Sequence, residues 1–251
     1  MKTTRFISLI LGAAALLSPG AAAHAAKIDG RIELAAKQSY VFRTYLKDDN
    51  IGVKSKDGAV TLTGSVSADS HKALAKDTVS GLPGVRSVEN LLEVTGAPTA
   101  NSDAWLSDKL KITLLFHRSV SVGKAEVEVK DGIVTLRGQA DSQRQKDLTA
   151  ACVRDVDGVT EVRNEMTVSE DAETKPRSAG EKIDDASISA QVKLALLLHR
   201  STSVLNTSVT TKRGVVLVEG RARNAAERDL VTGLVNDITG VKAVKNRMTI
   251  E

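Results

Sequence analysis

Gly158-Val159-Thr160-Glu161-Val162-Arg163-Asn164 is a short run in which a glycine, two valines and an asparagine hold fixed places. The same frame, Gly-Val-x-x-Val-x-Asn, returns at Gly84 to Asn90 and at Gly240 to Asn246. The glycines lie 74 and 82 residues apart, and a second landmark repeats both offsets: Leu62-Thr63-Gly64, Leu136-Arg137-Gly138 and Val218-Glu219-Gly220. Two landmarks sharing two offsets define three copies of one unit, over 28–96, 102–169 and 184–251. The eight extra residues before the third copy fall in a charged linker, 170–183, that carries Pro176 and Gly180.

Within each copy the periodicity changes character. In the second, residues 103–117 follow an apolar helical pattern, then Val127 and Val129 alternate with Glu126 and Glu128 as in a half-buried strand. Asp131-Gly132 favours a two-residue hairpin turn with positive φ at both positions; Asp57-Gly58 and Arg213-Gly214 stand at the equivalent places. Val134, Leu136 and Gly138 share one face of the returning strand. Gly64, Gly138 and Gly220 are read as a structural set, marking a bulge or a helix crossing close to the backbone. Asp141 or Ser142 opens a second helix whose apolar side carries Leu148, Cys152 and Val156. Gly84, Gly158 and Gly240 end those helices, and a third strand follows. Asn90, Asn164 and Asn246 fall in its core-facing phase and are expected to bond a backbone turn. The order is helix, strand, strand, helix, strand.

This order, with its hairpin Asp-Gly, its Val-x-Leu-x-Gly strand and its closing frame, resembles the BON domain (bacterial OsmY and nodulation), three times in tandem. The resemblance implies an α+β chain of three small α/β sandwiches, each with two helices on one face of a three-stranded sheet. It also implies a periplasmic or cell-envelope protein that contacts phospholipid or envelope surfaces and supports envelope or osmotic-stress protection. It supplies no catalytic residue and no cofactor. The first copy departs most, with Gly30 in its opening helix and Gln38 where the others have Ile112 and Leu194.

Composition narrows the function classes. Aromatic residues make up 2% of the 251-residue chain, so stacking platforms for single-stranded nucleic acid are nearly excluded. One cysteine removes internal disulfides and cysteine-based zinc sites. Lys2 and Arg5 precede an apolar run, 6–17, and Ala23-His24-Ala25 follows, the pattern of a secretory signal peptide over 1–25. Its cleavage near Ala25 would place the mature chain in the periplasm with 33 basic and 31 acidic residues. That near-neutral balance and export both argue against nucleic acid as a partner.

The remaining charge surplus sits in the third copy, with 10 basic and 7 acidic residues over 183–251. Strand alternation sends Lys245 and Arg247 to the outer sheet face, where Val215 and Leu217 also point. With Arg221 and Arg223 these form a candidate surface for anionic headgroups. Trp105 replaces Arg31 and Ser187 of the other copies, and is either an interfacial anchor or a seal between copies. The helices holding Leu110, Ile112, Leu114, Leu115 and Phe116, and Val192, Leu194, Leu196, Leu197 and Leu198, are apolar all round. One side covers its own sheet; the other needs a neighbouring copy, self-association with a second chain, or a membrane. His117-Arg118 and His199-Arg200 read as cations at helix C-termini, with Arg118 and Arg200 as further surface candidates and no metal site. The competing class is a soluble chaperone-like factor or protein–protein adaptor.

Overall fold

The computed structural model describes residues 19–96, 98–118, 120, 125–169, 182–202 and 207–250. The first module runs α1 (Pro19–Gln38), α2 (Tyr40–Thr44), β1 (Asn50–Lys56), β2 (Ala59–Val66), α3 (Asp69–Ser80), β3 (Ser87–Asn90) and β4 (Glu93–Val94). The second runs α4 (Asp103–Phe116), β5 (Ala125–Lys130), β6 (Ile133–Ala140), α5 (Gln143–Arg154), β7 (Glu161–Asn164) and β8 (Thr167–Val168). The third runs α6 (Asp185–Leu198), β9 (Ser208–Lys212), β10 (Val215–Glu219), β11 (Arg221–Ala222), α7 (Ala225–Asn236), β12 (Ala243–Asn246) and β13 (Thr249–Ile250). The fold is α+β, with one helix–strand–strand–helix–strand unit written three times. The first module's opening helix breaks at Ser39, one residue after the polar Gln38. There the Ser39 side chain accepts from the Phe42 N–H and restarts the helix as α2. The apolar run of the expected leader lies outside the described residues, and α1 carries the chain through the expected cleavage point at Ala25. Most of the 170–183 linker likewise lies outside them.

Each sheet is a hairpin joined by a parallel third strand, as in β1–β2 antiparallel and β2–β3 parallel. The hairpin turns adopt positive φ at both positions: Asp57 and Gly58, Asp131 and Gly132, Arg213 and Gly214. Arginine tolerates that conformation poorly, so the third turn needs outside support, described below. Gly64 (φ 108) keeps its pairing with Ile51, and no helix crosses it: a Cβ there would run into the Asn50 carbonyl of the facing strand. At Gly64 the expected bulge or helix crossing is therefore a close approach of two strand backbones, whereas Gly220 falls in the gap between β10 and β11. The helix crossing belongs instead to Gly84, Gly158 and Gly240, which pack under Ile32, Leu106 and Ile188 of the opening helices.

The modules are not beads on a string. One core joins the first and third and takes in Ile112 and Phe116 from the second; a separate core fills the second. The all-round apolar helix α6 is explained by this arrangement. Its own sheet covers one side and α3 of the first module covers another, so Ala186, Ser187, Ala190, Gln191 and Leu194 are all buried. Fully burying one large apolar side chain contributes roughly 1.5–3 kcal/mol, and α6 does so several times.

Candidate functional site

Two joints hold the modules, and both end on α6. At the first, the Tyr40 N–H donates to Oδ2 of Asp184 (2.8 Å) and the Val41 N–H donates to Oγ of Ser187 (3.1 Å). Asp184 is also the α6 N-cap, accepting from the Ser187 N–H, so one carboxylate starts the helix and receives the neighbour. Tyr45 packs edge-on against both Tyr40 and Phe116, and Gly81 lies against Ala186.

The second joint obeys a pseudo-twofold axis. His117 bridges Ile238 and His199 bridges Val156, with all four positions related by the 82-residue offset. The Arg118 N–H donates to the Asp237 carbonyl (2.9 Å), and the Arg200 N–H to the Asp155 carbonyl (3.0 Å). Their guanidinium groups reach across as well, Arg118 to the Val241 carbonyl and Arg200 to those of Val156 and Val159. The two His-Arg pairs thus serve the joint between modules, beyond any effect along their own helices. The histidines differ, however. His117 Nδ1 lies 2.8 Å from Oδ2 of Asp237, while His199 Nε2 is 3.8 Å from Oδ2 of Asp155. Burial pulls His117 down, but the Asp237 hydrogen bond and the neighbouring Cys152 outweigh it and raise the group to about 9. Burial lowers His199, and the weaker pull of Asp155 does not offset it. Cys152 is half-buried in this joint, opposite its counterpart Leu234.

Where all three modules meet, a groove of about 380 Å³ opens. It is lined by Ala68, Asp69, Ser70 and Ala73 of α3, by Pro98, by Trp105, Asp108 and Lys109 of α4, and by Leu194, Leu197 and Leu198. Trp105 is half-buried: one side packs on the second module's core, and the Lys109 ammonium sits 4.3 Å from its ring centroid. Lys109 also donates to the Asp157 carbonyl, and burial lowers its pKa. The pseudo-twofold makes this surface informative. Ala104, Trp105, Asp108 and Lys109 are the counterparts of Ala186, Ser187, Ala190 and Gln191, which the first module buries; on α4 the same face is only partly covered, with Ala104 exposed and Trp105, Asp108 and Lys109 half-buried.

The outer sheet faces of the second and third modules also differ. In the second, Arg137 bonds Glu128 and Glu165, and Arg163 bonds Glu161, a neutralised ladder. In the third, Lys245 and Arg221 are exposed without a carboxylate partner among the described residues, and Arg247 lies a loose 3.9 Å from Glu219. Val215 and Leu217 lie half-exposed between them. Arg223 is instead engaged, bonding Glu227 and the Ser201 carbonyl. Among the described residues no group of three or more His, Cys, Asp and Glu could hold a metal ion.

Sequence reading missed a thrice-repeated carboxylate. Asp29, Asp103 and Asp185 each accept both turn N–H groups of their own hairpin, from Asp57 and Gly58, Asp131 and Gly132, and Arg213 and Gly214. The Ser55 hydroxyl and these N–H groups hold Asp29 below the usual carboxylate range. This support lets Arg213 occupy a turn position that suits it poorly. The signal was present, since the three aspartates obey the same 74 and 82 offsets. The asparagines bind more than a turn: Asn90, Asn164 and Asn246 donate to the carbonyls of Lys72, Lys146 and Arg228 in the second helices. Each also accepts the N–H two residues on.

The BON domain family matches this chain at residues 28–96, 102–170 and 184–251. Osmotically-inducible protein Y of Escherichia coli is 32% identical over 143 residues, covering 55% of this chain and 71% of that protein. The outer membrane lipoprotein DolP of Haemophilus influenzae is 28% identical over 123 residues, covering 49% and 60%. A solved chain of CdsD, a structural protein of the type III secretion system of Chlamydia trachomatis, aligns over 88% of this chain and 90% of its own. Its identity is 17% and its TM-score 0.25, too low to support any structural inference.

Proposed function

The chain belongs to the BON domain family, and from that premise we propose that it is a non-enzymatic envelope protein that binds phospholipid surfaces in the periplasm and supports envelope integrity under osmotic stress. The observation that carries this reading is the partly covered face of α4. The equivalent face of α6 is closed by the first module, whereas Trp105 lines an apolar groove on α4. An indole beside apolar side chains suits the headgroup level of a bilayer. No helix among the described residues is long and apolar enough to cross a membrane, and the contact proposed here is a peripheral one. The unpaired Arg221 and Lys245, with Arg247, supply cations, each worth about 1 kcal/mol near an anionic surface. Arg118, Arg200 and Arg223 contribute less, because they already bond carbonyls or Glu227. A name among the relatives, an outer membrane lipoprotein, supports the location.

Trp105 is the sole tryptophan, which makes the test direct. Adding phosphatidylglycerol vesicles to the full chain is expected to blue-shift its emission and to float the protein, with both effects weakened by salt. Reversing Arg221, Lys245 and Arg247 together should abolish flotation. Flotation that ignores both salt and charge reversal overturns the reading. Suppression of client aggregation with no vesicle binding would instead establish the chaperone-like alternative.

A further inference from the structure

We infer that the joint between the second and third modules is an acid-released catch, opened when the His199 imidazole takes up a proton. The geometry fixes where that proton goes. The Ser201 N–H donates to Nδ1 of His199 at 3.1 Å, so the neutral ring carries its own hydrogen on Nε2. Nε2 is buried with no hydrogen-bond partner among the described residues, the side chain is 8% exposed, and it lines a cavity of about 100 Å³ on the pseudo-twofold axis. A second proton must enter at Nδ1, which would set one N–H against the Ser201 N–H and break that bond.

The surroundings add to the cost. Arg200 follows on the same chain, His117 faces the ring from the end of α4, Cys152 faces it from α5, and Asp155 from the C-cap of α5. Asp237, at the end of α7, is already bonded to His117. One carboxylate, Asp155, therefore opposes two cations, and it stands at 3.8 Å where the His117 pair is closed at 2.8 Å. An opened joint returns His199 to water, where the ring protonates at its ordinary value.

The sign follows from linkage. Burial, with His117 and Arg200 beside it, lowers His199 in the closed joint, so the closed form binds fewer protons. Its contribution to closure is complete above about 6.5, the ordinary histidine value, and is lost as pH falls below that. His117 has the opposite sense. Raised to about 9, it favours closure fully below its ordinary value, and that support disappears as pH climbs through 9. The two related histidines thus bound a window of closure, His199 on the acid side and His117 on the alkaline side. This device does not depend on the membrane reading.

Hydrogen exchange on the full chain tests it. The Asp157 N–H donates to the Leu198 carbonyl and the Thr239 N–H to the Phe116 carbonyl, so both amides report the joint. After correction for intrinsic exchange, their protection should fall between pH 6.5 and 5.0, where the His117 contribution is already nearly complete. The fall should be at most about tenfold per pH unit below the ordinary value of His199, levelling off at the closed value. His199→Gln should flatten this response. An NMR titration of the His199 ring in the unaltered protein gives a second, independent reading and needs no variant to fold. The ring must titrate below its ordinary value. An equal acid response in His199→Gln, unchanged protection in the unaltered protein, or a ring titrating at or above the ordinary value would each overturn the inference.

Discussion

The first and second modules are fastened to the third in different ways. The first joint is one-way in its backbone bonds: the N–H groups of Tyr40 and Val41 are given to Asp184 and Ser187, α3 lies along α6, and a side chain, that of Lys193, donates back to Asp77. The second is reciprocal, each module offering a helix end with His-Arg and receiving the other at an aspartate carbonyl. The one-way joint buries apolar surface, and the histidine of its α3, His71, is bonded within its own module to Asp49. The reciprocal joint places ionisable rings in its centre, so its strength depends on protonation. The contrast shows how one repeated unit yields two kinds of interface, according to which end of α6 is used.

Phe116 belongs to both joints, and its removal should have the largest effect. It is fully buried, packs on Tyr45 and passes its carbonyl to Thr239. Phe116→Ala should lower unfolding free energy by about 3–5 kcal/mol in urea denaturation. Asp237→Asn attacks only the reciprocal joint. It should cost about 1.5–3 kcal/mol near pH 7.5, the usual worth of a hydrogen bond to a charged group. The His117 ring, followed by NMR, should titrate well below the about 9 of the unaltered pair. The penalty should fade above that pH, where the unaltered pair is itself lost.

Gly81→Val attacks only the one-way joint. A Cβ at Gly81 stands 3.2 Å from Ala186, and φ there is −83°, so the backbone tolerates a side chain and the wedge alone is felt. About 1–3 kcal/mol is expected by denaturation, with the exchange of Asp157 unaltered. Ser187→Ala should have the smallest effect, about 1 kcal/mol, because it withdraws one acceptor from the Val41 N–H. If the Gly81 and Ser187 variants slowed or sped exchange at Asp157, the two joints would be coupled rather than separate.

The repeat, the hairpins and the strand phases were legible because they rest on local chemistry. Asp-Gly demands its turn, and Val244 and Met248 face inward while Lys245 and Arg247 face out. The joints were not legible. An all-round apolar α6 announced that something covers it, but α3 as the cover is set by contacts more than 100 residues apart in sequence. His117 and His199 looked alike for the same reason. Their difference lies in the distance to an aspartate supplied by another module. The aspartates beneath the hairpins were readable, since an acid recurring at both offsets marks a repeated role.

The reciprocal joint has a thermodynamic consequence. Contacts related by a constant offset of 82 residues are those of a symmetric homodimer, here carried by one polypeptide. A homodimer falls apart on dilution, because its stability depends on protomer concentration. Two halves in one chain meet at a fixed effective concentration however scarce the protein becomes. A homodimer would also show any substitution on both sides of the axis. In one chain each side changes alone, as Cys152 facing Leu234 and Thr113 facing Ala195 show.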